Sequence, residues 1–472
     1  VKTFVAAKSK FEGKKMIFGK FRELFFVGIC GAGMSGIAEI LHNLGYKVSG
    51  SDLAPGDVGA HLQKLGINVY TGHEGHNIGT ANVVVISSAV SKDNPEVIEA
   101  RRRGIPIIKR AEMLGELMRL KYSIGIAGTH GKTTTTSMVG KILYEARFDP
   151  TVIVGGIVAG TGSGASLGAG DYLVAEADEY DRSFLSMLPS MALVTNIEPD
   201  HLSSYDGIDD LENSFLTYMN RVPFYGLVIY CIDDPTLARL RHKITRASVS
   251  YGFSSDADYQ ATDVVLKEGK SRFTVFKRGE RLGLFTLNIP GRHNVQNAVG
   301  AIAAASELEI PTETIGEALS LFRTVERRFE IKAEVNNIMV VDDYAHHPTE
   351  ISATLDTARS FNRRVIAIFQ PHLFSRTKQF YREFAEALHK ADIVFLADIY
   401  PAREKPMEGV TAEMISDYAR QRGYENIHYI GPKENGVPEL LKIVRAGDMV
   451  ITIGAGSITR INPEIAKALE KK

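Results

Sequence analysis

The segment from Tyr122 to Thr136, YSIGIAGTHGKTTTT, constrains the fold of this chain most. An apolar run, Tyr122 to Ala127, enters a turn carrying Gly128 and Gly131, and then Lys132 followed by four threonines. That is how a β-strand delivers a phosphate to the start of a helix. Glycine lets the backbone approach phosphate oxygens, free N–H groups and the helix dipole favour anions, Lys132 adds charge, and the Thr133 hydroxyl can hold Mg2+. The general pattern G-x-x-x-x-G-K-[ST] is not met, because the residue five before Gly131 is Ile126. The shorter G-T-H-G-K-T remains and predicts ATP, with Gly128, Thr129, His130, Gly131, Lys132, Thr133 and Thr134 as its contacts.

A chain of 472 residues exceeds the roughly 250 to 300 at which one core stops growing, so two or three domains are expected. With 44% hydrophobic and 24% charged residues and a net charge of −1, the composition is that of an ordinary enzyme, without the footprint of a nucleic-acid or membrane-surface protein. Cys30 and Cys231 are the only cysteines, which needs no disulfide framework and suits a reducing, cytoplasmic setting. No apolar run approaches the roughly 20 residues that cross a bilayer. The first 22 residues hold seven Lys or Arg against one acid but lack the apolar core and cleavage site of a secretory signal. Residues 1–20 are therefore expected to be a basic extension without stable membrane association.

Along the chain, an apolar run ending at Ile29 meets Gly31, Gly33 and Gly36 in a G-x-G-x-x-G arrangement before a helical pattern from Ile37 to Leu44. A second strand, Lys47 to Gly50, leads to Asp52, 19 residues past Gly33, where a ribose-binding acid sits in a dinucleotide fold. The motif alone allows NAD; it identifies a pyrophosphate better than a nicotinamide, since any nucleotide diphosphate satisfies the same glycines. Strands are also predicted at Val83 to Ile86, ending in Ser87-Ser88, and at Ile105 to Ile108. Beyond the phosphate loop, Glu176, Asp178, Glu179 and Asp181 follow a buried strand, and His201 follows another, so Glu176 and His201 can converge on the sheet edge that holds Lys132. Residues 247–290 alternate polar and apolar, predicting a small antiparallel addition. Asn294 and Asn297 then open an alanine-rich helix. From Glu326 to Glu330 the chain reads as a joint to a third region of alternating strands and helices, whose strand ends carry Asp343, Tyr344, His346 and His347, and then His372 and Arg376. No H-E-x-x-H spacing supports zinc there, and a substrate-recognition edge is the better reading.

Three α/β units with G-T-H-G-K-T-T-T in the second, G-x-x-G-x-G-M-S-G-I-A in the first and D-D-Y-x-H-H-P-T-E in the third resemble the Mur ligases of bacterial cell-wall synthesis. The resemblance runs from about Phe25 to the C-terminus and is greatest to the branch that adds L-alanine to UDP-N-acetylmuramate. It implies a Rossmann-like N-terminal domain over 21–120, a central P-loop ATPase domain over 121–325 with a mostly parallel sheet, and a Rossmann-like C-terminal domain over 326–472. It further implies that Lys132 and its loop bind ATP phosphates, that Thr133, Glu176 and His201 hold or orient Mg2+, and that Asn294, Asn297, Arg328 and Asp343 serve the nucleotide. Gly31, Gly33, Ser35 and Asp52, with His73, Ser87 and Ser88, would form a UDP-sugar site. Tyr344, His346, His347, His372 and Arg376 resemble the amino-acid pocket, with Lys132, Glu176, His201 and Arg376 as catalytic candidates.

Two departures from the family pattern stand out. Many members read P-H-R where this chain has Pro371-His372-Leu373, which leaves Arg376 as the candidate for the substrate carboxylate. Sister ligases use a carbamylated lysine shortly after the metal-site histidine, whereas Leu202 to Val222 contains no lysine; that favours the alanine-adding branch. A ligase attaching a recycled peptide to the same sugar, and a dehydrogenase reading of the first glycine motif, are the rival functions.

Overall fold

The computed structural model describes residues 18–471 apart from 32, 88, 155–164, 181, 200–203, 268, 324–325 and 403. Most of the expected basic extension, and the candidates Ser88 and His201, lie outside the described residues. The chain divides into two compact units, Val1–Val249 and Ser250–Lys472. No described helix is long and apolar enough to cross a membrane.

The first unit holds two sheets. Strands β1 (Glu23–Val27), β2 (Lys47–Asp52), β3 (Asn68–Thr71), β4 (Val83–Ile86) and β5 (Ile107–Lys109) form an all-parallel sheet in the order β3-β2-β1-β4-β5. β1 reads ELFFV and its last four residues are buried, as expected of a strand covered on both faces by crossover helices. The order reverses between β1 and β4, which makes the loop after β1 a topological switch point, where open α/β sheets bind ligands. β5 starts two residues later than the sequence predicts. Pro106 has no N–H to give a ladder, and only its carbonyl is engaged, by Val84 N at 2.9 Å.

Strands β6 (Tyr122–Ala127), β7 (Thr151–Ile153), β8 (Ala165–Ser166), β9 (Tyr172–Ala177), β10 (Met191–Val194) and β11 (Leu227–Cys231) follow in the order β11-β10-β6-β9-β7-β8. All pairs are parallel except β7 with β8. β6 is central, with β10 on one side and β9 on the other, so its C-terminal loop is again a switch point. Gly125 is in β6 for packing: a Cβ there would lie 2.2 Å from the Tyr218 hydroxyl, on the helix Ile208–Asn220 that covers the strand.

β12 (Ser248–Gly252) begins two residues before the second unit, and β13 (Tyr259–Lys267), β14 (Lys270–Lys277) and β15 (Glu280–Leu287) follow, β13 to β15 antiparallel as the alternation predicts and β12 with β13 parallel. The last sheet comprises β16 (Glu330–Val335), β17 (Ile338–Asp343), β18 (Val365–Phe369), β19 (Ile393–Ala397), β20 (Ile427–Gly431) and β21 (Met449–Ile453), ordered β16-β17-β21-β18-β19-β20 and parallel except for β16. One face buries Ile351, Leu355, Phe384 and Ile415 from three helices; the other buries Leu440, Ile465 and Leu469. This is the three-layer, doubly wound arrangement the alternating elements predict.

Candidate active site

The turn after β6 is held open by the neighbouring strand. Asn196, just past β10, accepts the His130 N–H at 2.8 Å and donates to the His130 carbonyl at 3.1 Å, and Thr195 Oγ1 donates to the same carbonyl at 2.5 Å. Thr129 Oγ1 accepts the Glu198 N–H at 2.9 Å. Gly128 has φ +138 and Gly131 φ +83, and Gly131 starts the helix Lys132–Glu145 with no side-chain cap. The first amides of that helix thus lack the hydroxyl or carboxylate that usually takes them up, the arrangement that receives an anion.

Lys132 folds back over this turn. Its Nζ donates to the carbonyls of Gly128 (2.6 Å) and Thr129 (3.2 Å) and to Glu179 Oε2 at 2.7 Å. Burial works against the ammonium charge, but the carboxylates of Glu179, Asp178 and Glu176 outweigh it and hold Lys132 above the usual lysine range. Burial pushes Glu179 the other way, above the carboxylate range, against the pull of Lys132. Glu176 stands at the end of β9, in register with Ile126 of β6, two residues before the phosphate loop begins. Thr133 lies in the first helical turn and Thr134 beside it is buried. Glu179, Asn196 and Glu198 are the partners the sequence candidates leave out. All three follow apolar strands in acid- or amide-bearing turns, and only the strand order β10-β6-β9 brings them to one loop.

At the switch point of the first sheet, Gly28 and Gly33 have φ of +77 and +74, and Gly33 opens the helix Met34–Asn43, also without a side-chain cap. Ser35 is in its first turn, and the Ser87 hydroxyl comes within 3.3 Å of where a Gly28 Cβ would stand. Asp52 is drawn into the same loop, accepting Cys30 N–H on Oδ2 (3.0 Å) and Ala54 N–H on Oδ1 (3.1 Å). His73 is tied elsewhere. Its Nδ1 lies 2.9 Å from Ser51 Oγ and 3.0 Å from Glu96 Oε2, leaving Nε2 as its remaining polar atom. Glu96 is fully buried and also takes the Ser51 hydroxyl (2.6 Å) and the Asn77 amide (2.9 Å). Glu96→Ala strips the acceptor from three buried or half-buried donors and is expected to destabilise the protein by about 3 kcal/mol. Chemical denaturation followed by circular dichroism measures this, and a loss below about 1 kcal/mol would contradict the network.

In the second unit Asp343 ends β17 and organises the turn before β16. Its carboxylate accepts Phe329 N–H (2.8 Å) and Ala345 N–H (2.7 Å), and Arg327 and Phe329 are held at positive φ. Burial lifts its carboxyl to about 6 despite the Arg328 guanidinium and these N–H donors. Arg328 reaches Glu350 at 3.6 Å and lies over the Tyr344 ring. Asn294 and Asn297 are buried on the helix Arg292–Glu307, with Asn294 Nδ2 donating to the Pro290 carbonyl at 2.6 Å. His293 beside them was not singled out by sequence; burial, reinforced by Arg328, holds it down to about 4.

Tyr344, His346, His372 and Arg376 lie near one another. The Tyr344 and His346 rings meet edge to face at 5.3 Å, and the His346 and His372 rings are 6.0 Å apart. Arg376, 6% exposed, places Nη1 3.4 Å from His372 Nδ1. His346 Nδ1 lies 3.0 Å from the Tyr344 carbonyl; since a carbonyl only accepts, that nitrogen carries the hydrogen and Nε2 presents a lone pair. Burial lowers His346 to about 4. His347 acts locally, its Nδ1 accepting Thr349 N–H and capping the helix Pro348–Arg359, while Glu350 takes the His346 and His347 amides in return.

Unfolding lets His293 and His346 take up protons near pH 6.5, whereas folded they do so only near 4; Asp343 does the opposite, near 6 folded and 3.8 unfolded. Between pH 6 and 4 the unfolded state thus holds about two extra protons less one. Stability contributed by this cluster is expected to fall by about 1.4 kcal/mol per pH unit as acid is added across that window. Urea midpoints at pH 7, 6 and 5 read this, and His293→Gln should flatten the slope.

Two uncapped helix N-termini stand at sheet switch points of the first unit, one with a lysine and oxygen donors and one with a glycine turn, an arrangement that suits phosphorylated ligands. Models of the Mur ligase family match its length in three stretches: the Mur ligase family, catalytic domain, over residues 23–122; the Mur ligase middle domain over 126–305; and the Mur ligase, glutamate ligase domain over 327–456. The chain belongs to the Mur ligase family. It is 49% identical over 447 residues to the UDP-N-acetylmuramate–L-alanine ligase of Geobacter sp. strain M21, covering 94% of this chain and 97% of that one. Among solved structures it is similar to the UDP-N-acetylmuramate–alanine ligase of Thermotoga maritima, with a TM-score of 0.79, 30% identity, and coverage of 95% of this chain and 99% of that one. A murein peptide ligase from Psychrobacter arcticus is similar at a TM-score of 0.68 and 26% identity, covering 96% and 99%. Family membership sets aside the dehydrogenase reading of the first glycine motif.

Proposed function

We propose that this protein is an ATP-dependent ligase that joins L-alanine to the lactyl carboxylate of UDP-N-acetylmuramate, a step of peptidoglycan precursor synthesis. The observation that carries the reading is near-half identity to an alanine-adding ligase over almost the entire chain. The first unit's phosphate loop, with Lys132 as its cation, is consistent with it.

A carboxylate and an amine do not condense in water because oxide would have to leave. Phosphorylation by ATP makes the carboxylate an acyl phosphate, the alanine amine attacks that carbonyl, and inorganic phosphate departs. Lys132, its loop amides and Thr134 bind the phosphates; Lys132 offsets charge as two anions approach. The Thr133 hydroxyl and the Glu176 carboxylate are hard oxygen donors that suit Mg2+, and with His201 they are assigned to hold it. When bound, that ion supplies charge neutralisation on the phosphates. Gly31, Gly33, Ser35, Asp52 and Ser87 are assigned to the UDP-sugar, with Ser88 and His73 as further contacts. In the second unit Arg376 holds the alanine carboxylate, and the His346 Nε2 lone pair accepts a hydrogen from the alanine nitrogen. The ATP and UDP-sugar required place the reaction in the cytoplasm.

Phosphate release from ATP and Mg2+ with UDP-N-acetylmuramate, adding single amino acids or the recycled tripeptide in turn, tests this. Release driven by L-alanine, with a product heavier by one alanyl residue, is expected. Release with the tripeptide alone would move the protein to the recycling branch, and none with any acceptor would sink the assignment.

A further inference from the structure

We propose that Arg182 is a positioning residue for the ligase reaction, clamping the acid-bearing turn after β9 so that Glu179 stays against Lys132; the proposal rests on the function given above. Glu179 reaches Lys132 Nζ at 2.7 Å from a turn, not from a strand, so its aim depends on what fixes that turn. Two donors meet on the Glu179 carbonyl, the Arg182 N–H at 3.0 Å and the Tyr205 hydroxyl at 2.5 Å. Just beyond, the Phe184 N–H and the Ser183 hydroxyl both donate to the Asp178 carbonyl at 3.1 Å. The buried Phe184 ring then packs on Phe215 and Tyr218 of the helix Ile208–Asn220, with centroids 5.0 and 5.2 Å away.

The Arg182 side chain ties this turn to the segment that leads into the same helix. Its Nε donates to the Ser204 carbonyl at 2.8 Å, both Nη atoms reach the Asp210 carboxylate, and the guanidinium lies 4.7 Å over the Tyr205 ring. A planar fork can serve a carbonyl, a carboxylate and an aromatic face at once, which an ammonium cannot. Asp210 is fixed in turn, since it stands in the first turn of its helix and accepts the Asp206 N–H at 2.9 Å. Arg182 itself is at φ +60, a conformation that costs an L-residue energy and persists where the surroundings hold it. Tyr205 closes the circuit: the ring beneath the guanidinium carries the hydroxyl that holds the Glu179 carbonyl. None of these partners is assigned to a substrate, so Arg182 acts on the reaction through Glu179 and, behind it, Lys132. A half-exposed ion pair adds little to global stability, which lets its effect on turnover be told from an effect on the fold.

Steady-state kinetics of wild type, Arg182→Ala, Arg182→Lys, Tyr205→Phe, Glu179→Gln and the double variant Arg182→Ala/Glu179→Gln test this, with melting curves and titration by a non-hydrolysable ATP analogue and Mg2+. Arg182→Ala is expected to lower kcat/KM for ATP about tenfold, while the KM values for UDP-N-acetylmuramate and L-alanine stay within about twofold. Arg182→Lys should recover part of the loss, and Tyr205→Phe should fall between. In the Glu179→Gln background Arg182→Ala should cost less than about twofold more, because the path through Glu179 is already cut. Arg239→Ala breaks another arginine–carboxylate pair on the same helix, with Glu212, and should keep wild-type kinetics. Unchanged kcat/KM for ATP in Arg182→Ala, losses that multiply in the double variant, or an equal rise in all three KM values would overturn the clamp. Absence of turnover in the wild type with any acceptor would overturn the reading beneath it; the analogue titration still decides the clamp, with affinity about fivefold weaker in Arg182→Ala expected and equal affinity refuting it.

Discussion

Lys132→Ala is expected to lower ATP-dependent turnover more than a hundredfold, about 2.7 kcal/mol of transition-state stabilisation, with secondary structure retained. The lysine is the cation over the phosphate loop, and alanine offers nothing to the charge that passes between carboxylate and phosphate. The same change leaves Glu179, 1% exposed, without its partner, so a second signature accompanies the kinetic one. A buried carboxylate stripped of its cation costs about 3 kcal/mol while ionised. Its folded pKa then rises further above the unfolded value. The destabilisation is therefore largest at and above neutral pH, and fades as acid protonates the carboxyl. Melting curves from pH 5 to 8, paired with steady-state rates, separate the two effects; near-normal turnover would remove ATP from this loop.

Gly128→Ala should be nearly as damaging for a different reason. A Cβ at that position would lie 2.0 Å from Thr195 Oγ1 and 3.1 Å from the backbone nitrogens of Thr195 and Asn196, and φ is +138. The hydroxyl can swing away only by giving up the His130 carbonyl, and the backbone of β10 cannot follow. Crowding and backbone strain together come to about 3 to 4 kcal/mol. The loop then loses its shape, and KM for ATP is expected to rise at least tenfold. Adding Thr195→Ala to Gly128→Ala removes the closest contact and should recover part of the thermal stability; no recovery would place the strain elsewhere.

How much of this could be read in the sequence depends on whether a residue's partner is near it in the chain. β1, β6, β17 and β21 announce themselves as apolar runs because parallel strands are buried on both faces, and the glycine turns behind β1 and β6 are local signals. β3, β16 and β20 are sheet edges whose exposed residues break any apolar run, and none was assigned. β11, LVIYC, does carry such a run and is nevertheless absent from the expected strands. Side-chain partners were the hardest to read. Glu179 and Asn196 reach the loop after β6 only through strand order, which no local pattern encodes. Nothing local in the sequence shows that His73 and His347 commit their Nδ1 atoms to Glu96 and to the start of a helix. His293 carries no signal beyond its place next to Asn294.

Two aspartates at strand-end turns, Asp52 in one unit and Asp343 in the other, are alike in a way their sequence contexts do not suggest. Each directs one carboxylate oxygen to a main-chain N–H of its own turn and the other to an N–H of a segment distant in sequence. Each therefore acts as a mould that gives its turn a final form at folding. Fixing one residue's backbone costs about 1 to 2 kcal/mol of chain entropy, and these turns meet that cost at folding rather than at binding. Under the function proposed, the nucleotide and the UDP-sugar would meet turns that need not be ordered on arrival, so none of their binding energy would be spent on ordering these turns.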